Sequence, residues 1–163
     1  MFNIGDKILY PMHGAGVIEK IEEAEILGEK KSYYVLKIFC RDIKIMVPVD
    51  SSMKAGVRPV ASKDEVEEAF LVLASETTEM SSNWNRRYRE NTEKLKSGKL
   101  DQVAEVVRNL SRADRKRKLS AVETKMLVNA RQILISELVL AGEMDADEAS
   151  RLIDQAVKGN AVR

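Results

Sequence analysis

The chain of 163 residues contains one cysteine, one histidine, one tryptophan and three prolines, and aromatics make up only 5% of it. A single thiol, Cys40, excludes an internal disulfide framework and fits a reducing cytosol, where a lone thiol is expected to be free and buried. With His13 the sole imidazole, the usual zinc ligand sets cannot be assembled, and no histidine-based nucleophile triad has supporting spacing. His13 itself lies in Pro11-Met12-His13-Gly14, which reads as a turn. Gly14-Ala15-Gly16 has neither the lysine nor the following helix of a phosphate-binding loop. No run approaches the ~18–20 apolar residues of a membrane span, and no basic-then-apolar leader opens the chain. The expectation is a soluble, cytoplasmic, non-enzymatic protein with no metal, no cofactor and no membrane partner.

What the chain has in quantity is charge. Asp, Glu, Lys and Arg reach 33%, above the typical ~25%, against 44% apolar residues. So charged a chain of this length suits one ordinary domain or two small ones with long amphipathic helices.

Residues 1–60 carry short alternating segments rich in β-branched residues, broken by Gly, Pro and charges. Residues 8–10, 16–18, 33–38 and 44–49 are the candidate strands, with turns at Gly28 and at Arg41-Asp42. A small, strongly bent β-barrel is expected. From Ser62 the period changes to 3.6 and about five consecutive helices follow, over residues 61–163. Ser62 and Glu65 have capping-box spacing and open a helix to about Ser75. A second is expected from Ser82 to Ser97, stopped by Gly98, and a third from Asp101 to about Lys116. Ser120 and Glu123 have the same box spacing and start the longest helix, which runs apolar nearly all round to Gly142 and reads as central. Asp145 and Glu148 begin the last. The fold class is α+β in two domains.

The net charge of +1 hides its distribution. Residues 63–80 hold one basic and six acidic side chains, net −5, whereas residues 81–118 hold twelve basic and five acidic, net +7. Seven excess cations on two helices make an electrostatic footprint suited to phosphates, although lysine and arginine also serve simply to solvate helix faces. Arg86, Arg87 and Arg89 crowd one turn with only Glu90 and Glu93 as nearby acids, and Arg112, Arg115, Lys116, Arg117 and Lys118 form a second cluster. Arginine favours bidentate phosphate contact.

Trp84 stands beside the first cluster, in Ser82-Asn83-Trp84-Asn85-Arg86-Arg87-Tyr88. Two readings are open. Trp84, Tyr88 and Leu95 fall along one helical stripe, as core residues would. Alternatively Trp84 occupies the first helical turn, exposed among arginines, where it can stack on an unpaired base or wedge into a minor groove at a distorted step.

The opening Phe2-Asn3-Ile4-Gly5-Asp6-Lys7-Ile8-Leu9-Tyr10-Pro11-Met12-His13-Gly14-Ala15-Gly16 resembles that of the CarD/CdnL family of bacterial transcription regulators, whose first domain is shared with transcription-repair coupling factor. The resemblance continues through Tyr34-Val35-Leu36-Lys37, Val47-Pro48, Asn83-Trp84-Asn85-Arg86-Arg87-Tyr88, Val103-Ala104-Glu105-Val106-Val107-Arg108 and Ala130-Arg131-Gln132-Ile133-Leu134. It spans nearly the whole chain in the family's order.

That resemblance implies an SH3/Tudor-like barrel that binds the β subunit of RNA polymerase, and a helical domain that touches promoter DNA at the upstream edge of the melted bubble. The tryptophan matching Trp84 wedges into the minor groove there and slows bubble collapse, with Asn83, Arg86, Arg87 and Arg89 on the backbone beside it. Polymerase is expected on the exposed strand Lys44, Ile45, Met46, Val47 and Pro48, with Ala24 nearby. The sequence departs from the family at Ala24 and Met46, where relatives often carry arginine, which leaves Lys44 to supply charge. A DNA-contacting basic position in relatives aligns with Thr124, leaving Lys125 as its neighbouring substitute. The expected protein is a monomeric regulator that stabilises the open promoter complex. The alternatives are an architectural DNA-binding protein that acts without polymerase, and a protein adaptor with Trp84 buried.

Overall fold

A computed structural model describes residues 1–39, 41–142 and 144–159; Cys40 therefore lies outside the described residues. Five strands come first: β1 (Lys7–Tyr10), β2 (Gly14–Ile26), β3 (Glu29–Ile38), β4 (Ile43–Pro48) and β5 (Arg58–Pro59). They form one antiparallel sheet in the order β4-β3-β2-β1-β5, so β4 and β5 are its edges. Five helices follow: α1 (Lys63–Ala74), α2 (Trp84–Lys96), α3 (Leu100–Lys116), α4 (Ala121–Gly142) and α5 (Ala146–Gly159). The architecture is the expected α+β arrangement of a Tudor-like sheet and a helical bundle.

β2 and β3 are far longer than the alternation of residues 16–18 and 33–38 suggests. They stay paired past an irregularity between Ile18 and Lys20 and, beyond Glu22 and Tyr33, where pairing with β4 ends at Pro48, continue as a two-stranded ribbon to Ile26 and Glu29. Apolar alternation marks a strand only where one face is buried, and this ribbon is largely solvated. Cross-strand pairing of Glu25 with Lys30 supports it instead. Leu27 and Gly28 turn it with φ of 54° and 80°, the two positive values of a type I′ hairpin. β5 was not expected either: Arg58-Pro59 has no alternation, and proline fits there because β5 is an edge.

The strands serve two cores. Ile8, Ile18, Tyr34, Leu36, Ile38, Val47 and Val57 fill the barrel. Leu9 and Ala15 point the other way, into the helical core with Leu95, Val103, Leu110, Leu134 and Leu138. Period-two alternation delivers neighbouring residues of β1 to opposite faces, and here both faces are dry. Close approach seals the seam. The Ala15 amide donates to Ser136 Oγ on α4 at 2.9 Å, and a Cβ on Gly14 would lie 3.0 Å from the same oxygen.

α1 begins with the expected reciprocal cap between Ser62 and Glu65. α2 begins two residues later than expected, at Trp84, because Asn83 and not Ser82 caps it: Asn83 Oδ1 accepts from the Arg86 amide at 2.9 Å. Gly98 ends it at φ 70°. α4 is central, packed on α1, α3, α5 and β2, which is why it reads apolar all round. Among the described residues no helix is long and apolar enough to cross a membrane.

Candidate nucleic-acid interface

Trp84 is the first residue of α2, and it is 40% exposed. A core tryptophan is excluded. The indole lies flat on the ring of Tyr88, one turn along, with centroids 5.4 Å apart and planes 8° from parallel. This stack on a helix presents a rigid aromatic edge to solvent. The Leu95 end of the same stripe is buried, so one stripe runs from core to surface.

The neighbouring cations divide. Arg86 and Arg89 are exposed, the former joined to Glu90 at 2.7 Å. Arg87 turns inward. Its Nε donates to Glu123 Oε2 at 2.8 Å, its Nη2 to Oε1 at 3.2 Å and its Nη1 to the Ser81 carbonyl at 3.0 Å. The pair is 12% and 8% exposed. This departs from the expected phosphate-holding role of Arg87, because its acid partner lies 36 residues away, beyond any helical spacing. Hydrogen bonds from Arg87 hold the Glu123 carboxyl below the ordinary range despite partial burial, and the same contact raises the Arg87 guanidinium.

Glu123 is thereby diverted from the reciprocal box with Ser120. Its amide still donates to Ser120 Oγ at 3.2 Å, but its carboxylate receives Arg87 and the Ser120 hydroxyl. The pair brings the first turn of α4 beside the first turn of α2, and Thr124 and Lys125 follow Glu123 directly along α4. Both are exposed. They border a groove with Arg41, Ile43, Val128 and Asn129, where Arg41 donates to Asn129 Oδ1.

Two more arginines of the basic segment are internal. Arg108 donates to the Val72 carbonyl and Thr78 Oγ1 at 2.9 and 3.1 Å. Arg112 donates to the Ser75 and Leu73 carbonyls at the end of α1 and to the Val157 carbonyl of α5. Orphan carbonyls at two helix C-termini are satisfied by one guanidinium, so Arg112 leaves the expected second phosphate cluster. Arg115, Lys116, Arg117 and Lys118 remain exposed at the end of α3. The last three line a groove of about 580 Å³ that also touches Ser81, Ser82 and Arg87. The basic surface is smaller than net +7 suggests, with Arg86 and Arg89 on α2 and Arg115 to Lys118 at the end of α3 still facing solvent.

On the sheet, Lys44, Met46 and Pro48 share a face with Val35, Tyr33, Lys31 and, across β3, with Ala24. Ile45 and Val47 take the opposite face; Val47 belongs to the barrel core and Ile45 packs on it. Val47 is buried and Ile45 half-buried, so the side chains of β4 most open to a partner are those of Lys44 and Met46. Met46 is 44% exposed, and Lys44 Nζ is bound to Glu19 at 3.0 Å. His13 occupies the expected turn, its ring tilted against that of Tyr10 with centroids 4.6 Å apart, and burial, with Arg41 nearby, keeps its pKa low. Among the described residues no three potential metal ligands cluster.

Sequence reasoning missed Glu137. It is the only charged residue in 132–142, and a carboxylate in so apolar a run requires a buried partner. Arg58 supplies it, at 2.6 and 2.9 Å.

The family model of the CarD-like/TRCF RID domain matches residues 2–61, and that of the CarD C-terminal domain matches residues 68–154. The chain belongs to the CarD family. It is 42% identical over 138 residues to the candidate transcription factor YdeB of Bacillus subtilis (strain 168), covering 85% of this chain and 90% of that one. In this CarD-like transcription factor the sheet with its free β4 edge lies in the RID region, and Trp84 with its arginines lies in the C-terminal CarD region.

Proposed function

We propose that the protein regulates transcription initiation by binding the RNA polymerase β subunit through the β4 edge and holding Trp84 against the minor groove at the upstream edge of the melted promoter. The observation that carries this reading is the exposed, Tyr88-stacked indole at a helix start, flanked by Arg86 and Arg89 and joined through a continuous core to the sheet. An apolar wedge lowers the cost of a kinked or unstacked step, and cations beside it hold the backbone, so recognition depends on shape more than sequence. Strand addition at β4 supplies main-chain hydrogen bonds, with Met46, Lys44 and Pro48 tuning specificity and Ala24 flanking them. The protein acts as a cytoplasmic monomer and performs no catalysis.

Replacing Trp84 with Ala tests the reading. The exposed indole contributes little to folding, so stability and β-subunit binding should be retained while the open complex on a promoter decays faster. An unchanged lifetime rejects the wedge. Exposure of Trp84 weighs against the adaptor alternative. Capture of the β subunit by the full chain, lost on disrupting the β4 edge, would separate this function from a polymerase-independent DNA binder.

A further inference from the structure

We propose that Arg87 and Glu123 are positioning residues for Trp84: together they fix the start of α2 on the first turn of α4 and so set the direction in which the indole projects, without touching DNA themselves. This rests on the wedge reading above.

The contacts form a continuous path. Ser120 caps α4 through the Glu123 amide, so the Glu123 carboxylate projects from an ordered first turn. Arg87 meets that carboxylate with two nitrogens and spends a third contact on the Ser81 carbonyl. Ser81 immediately precedes the segment that carries the Asn83 cap, and its hydroxyl accepts from the Asn83 amide at 3.2 Å. Trp84 follows. One guanidinium therefore ties α4, the entry loop and the helix that bears the indole. A planar, two-point fork fixes angle as well as distance, which a lysine ammonium cannot do. With both partners nearly covered, the Arg87 guanidinium is not free to meet a phosphate while the pair is intact.

The competing role, in which Arg87 contacts phosphate, predicts opposite signs. Glu123 would then be a competitor for the guanidinium, and neutralising it should strengthen DNA binding. If the pair positions the wedge, neutralising Glu123 should weaken the wedge and leave backbone electrostatics alone.

The test uses the full chain with RNA polymerase and a promoter, comparing Glu123→Gln, Arg87→Lys, Trp84→Ala and the Glu123→Gln/Trp84→Ala double variant. Glu123→Gln is nearly isosteric, and Arg87→Lys keeps the charge while losing the fork; thermal melts confirm that each is folded. We expect Glu123→Gln and Arg87→Lys each to shorten open-complex lifetime about threefold or more and to lower the fluorescence anisotropy of the single tryptophan. The salt slope of DNA affinity should stay unchanged, and Glu123→Gln should have no further effect once Trp84 is Ala. Tighter DNA binding by Glu123→Gln overturns the inference, as does an equal lifetime loss in the Trp84→Ala background. A Trp84→Ala effect with no Glu123→Gln effect overturns the inference alone. No Trp84→Ala effect removes the wedge and this inference with it.

Discussion

Arg58 and Glu137, 79 residues apart, meet through two hydrogen bonds of 2.6 and 2.9 Å at the seam between sheet and helices. Glu137 is 1% exposed and also accepts from the Ala61 amide at 2.8 Å, while Arg58 donates to the Gly98 carbonyl at 2.9 and 2.6 Å. One ion pair thus binds β5, the α2–α3 turn and α4.

Glu137→Ala should be costly. Removing one partner of a buried pair costs about 3–5 kcal/mol, and the partial exposure of Arg58 places this case near the lower figure. The urea midpoint should fall accordingly. Glu137→Gln, which keeps one acceptor oxygen for the Ala61 amide and one Arg58 nitrogen but sets its NH2 against the other, should lose less than Ala; equal losses would mean that the remaining acceptor contributes nothing.

Salt dependence should sort the arginines by where they point. Arg86→Ala and Arg89→Ala are each expected to reduce the slope of log affinity for DNA against log salt by about 0.9, the loss of one phosphate contact. Arg108→Ala and Arg112→Ala should leave that slope alone and lower thermal stability instead, since both guanidinia satisfy internal carbonyls. Titrations at several salt concentrations, paired with melts, distinguish the two classes.

Acid should weaken the Arg87–Glu123 contact. Arg87 foremost, then Ser120 and the nearby charge of Arg117, hold the folded Glu123 carboxyl below its ordinary value of 4.5, against the opposing effect of burial. A carboxyl lowered on folding contributes stability that is fully present above the unfolded value and is lost as pH falls through the folded one. As pH falls from the unfolded carboxyl's range through the lowered one of the folded state, the urea midpoint of the native chain should therefore drop more steeply than that of Glu123→Gln. Parallel curves would show the carboxylate to be thermodynamically idle.

Gly16→Ala should break the sheet locally. A Cβ there would sit 2.2 Å from the Lys37 carbonyl oxygen and 3.0 Å from the Ile38 Cα, both backbone atoms of β3. The cost is expected to be about 3 kcal/mol. Gly28→Ala meets open space and pays only for its left-handed φ of 80°, about 1–2 kcal/mol. Thermal melts of the two variants should rank them in that order.

Wherever local chemistry decides, the fold was legible. Ser62-Glu65 caps, Gly98 stops and the 3.6 period located all five helices, and the position of Trp84 beside Arg86 and Arg89 drew attention to the surface it occupies. Long-range pairing was not legible in the same way. The Arg87–Glu123 and Arg58–Glu137 pairs join residues from separate elements, and no spacing rule reaches them, although an isolated glutamate inside the apolar run of α4 announces that some cation must come to it. The β2–β3 ribbon escaped for another reason: with both faces largely wet, its hydrogen bonds leave no hydrophobic rhythm in the chain. Charge counting overstated the basic surface because it treats a guanidinium capping two helices as though it faced solvent.

α4 holds the Glu123 contact on its first turn and the Ser136 and Glu137 contacts thirteen and fourteen positions later. A continuous helix rises 1.5 Å per residue, so these anchors stand about 21 Å apart. α4 is in this sense a ruler: whatever grips the sheet decides, to within the stiffness of one helix, how far away the indole lands. The ruler also has a phase. One residue inserted between the anchors would turn one end by about 100° relative to the other, whereas four inserted residues would bring them nearly back into line about 6 Å further apart.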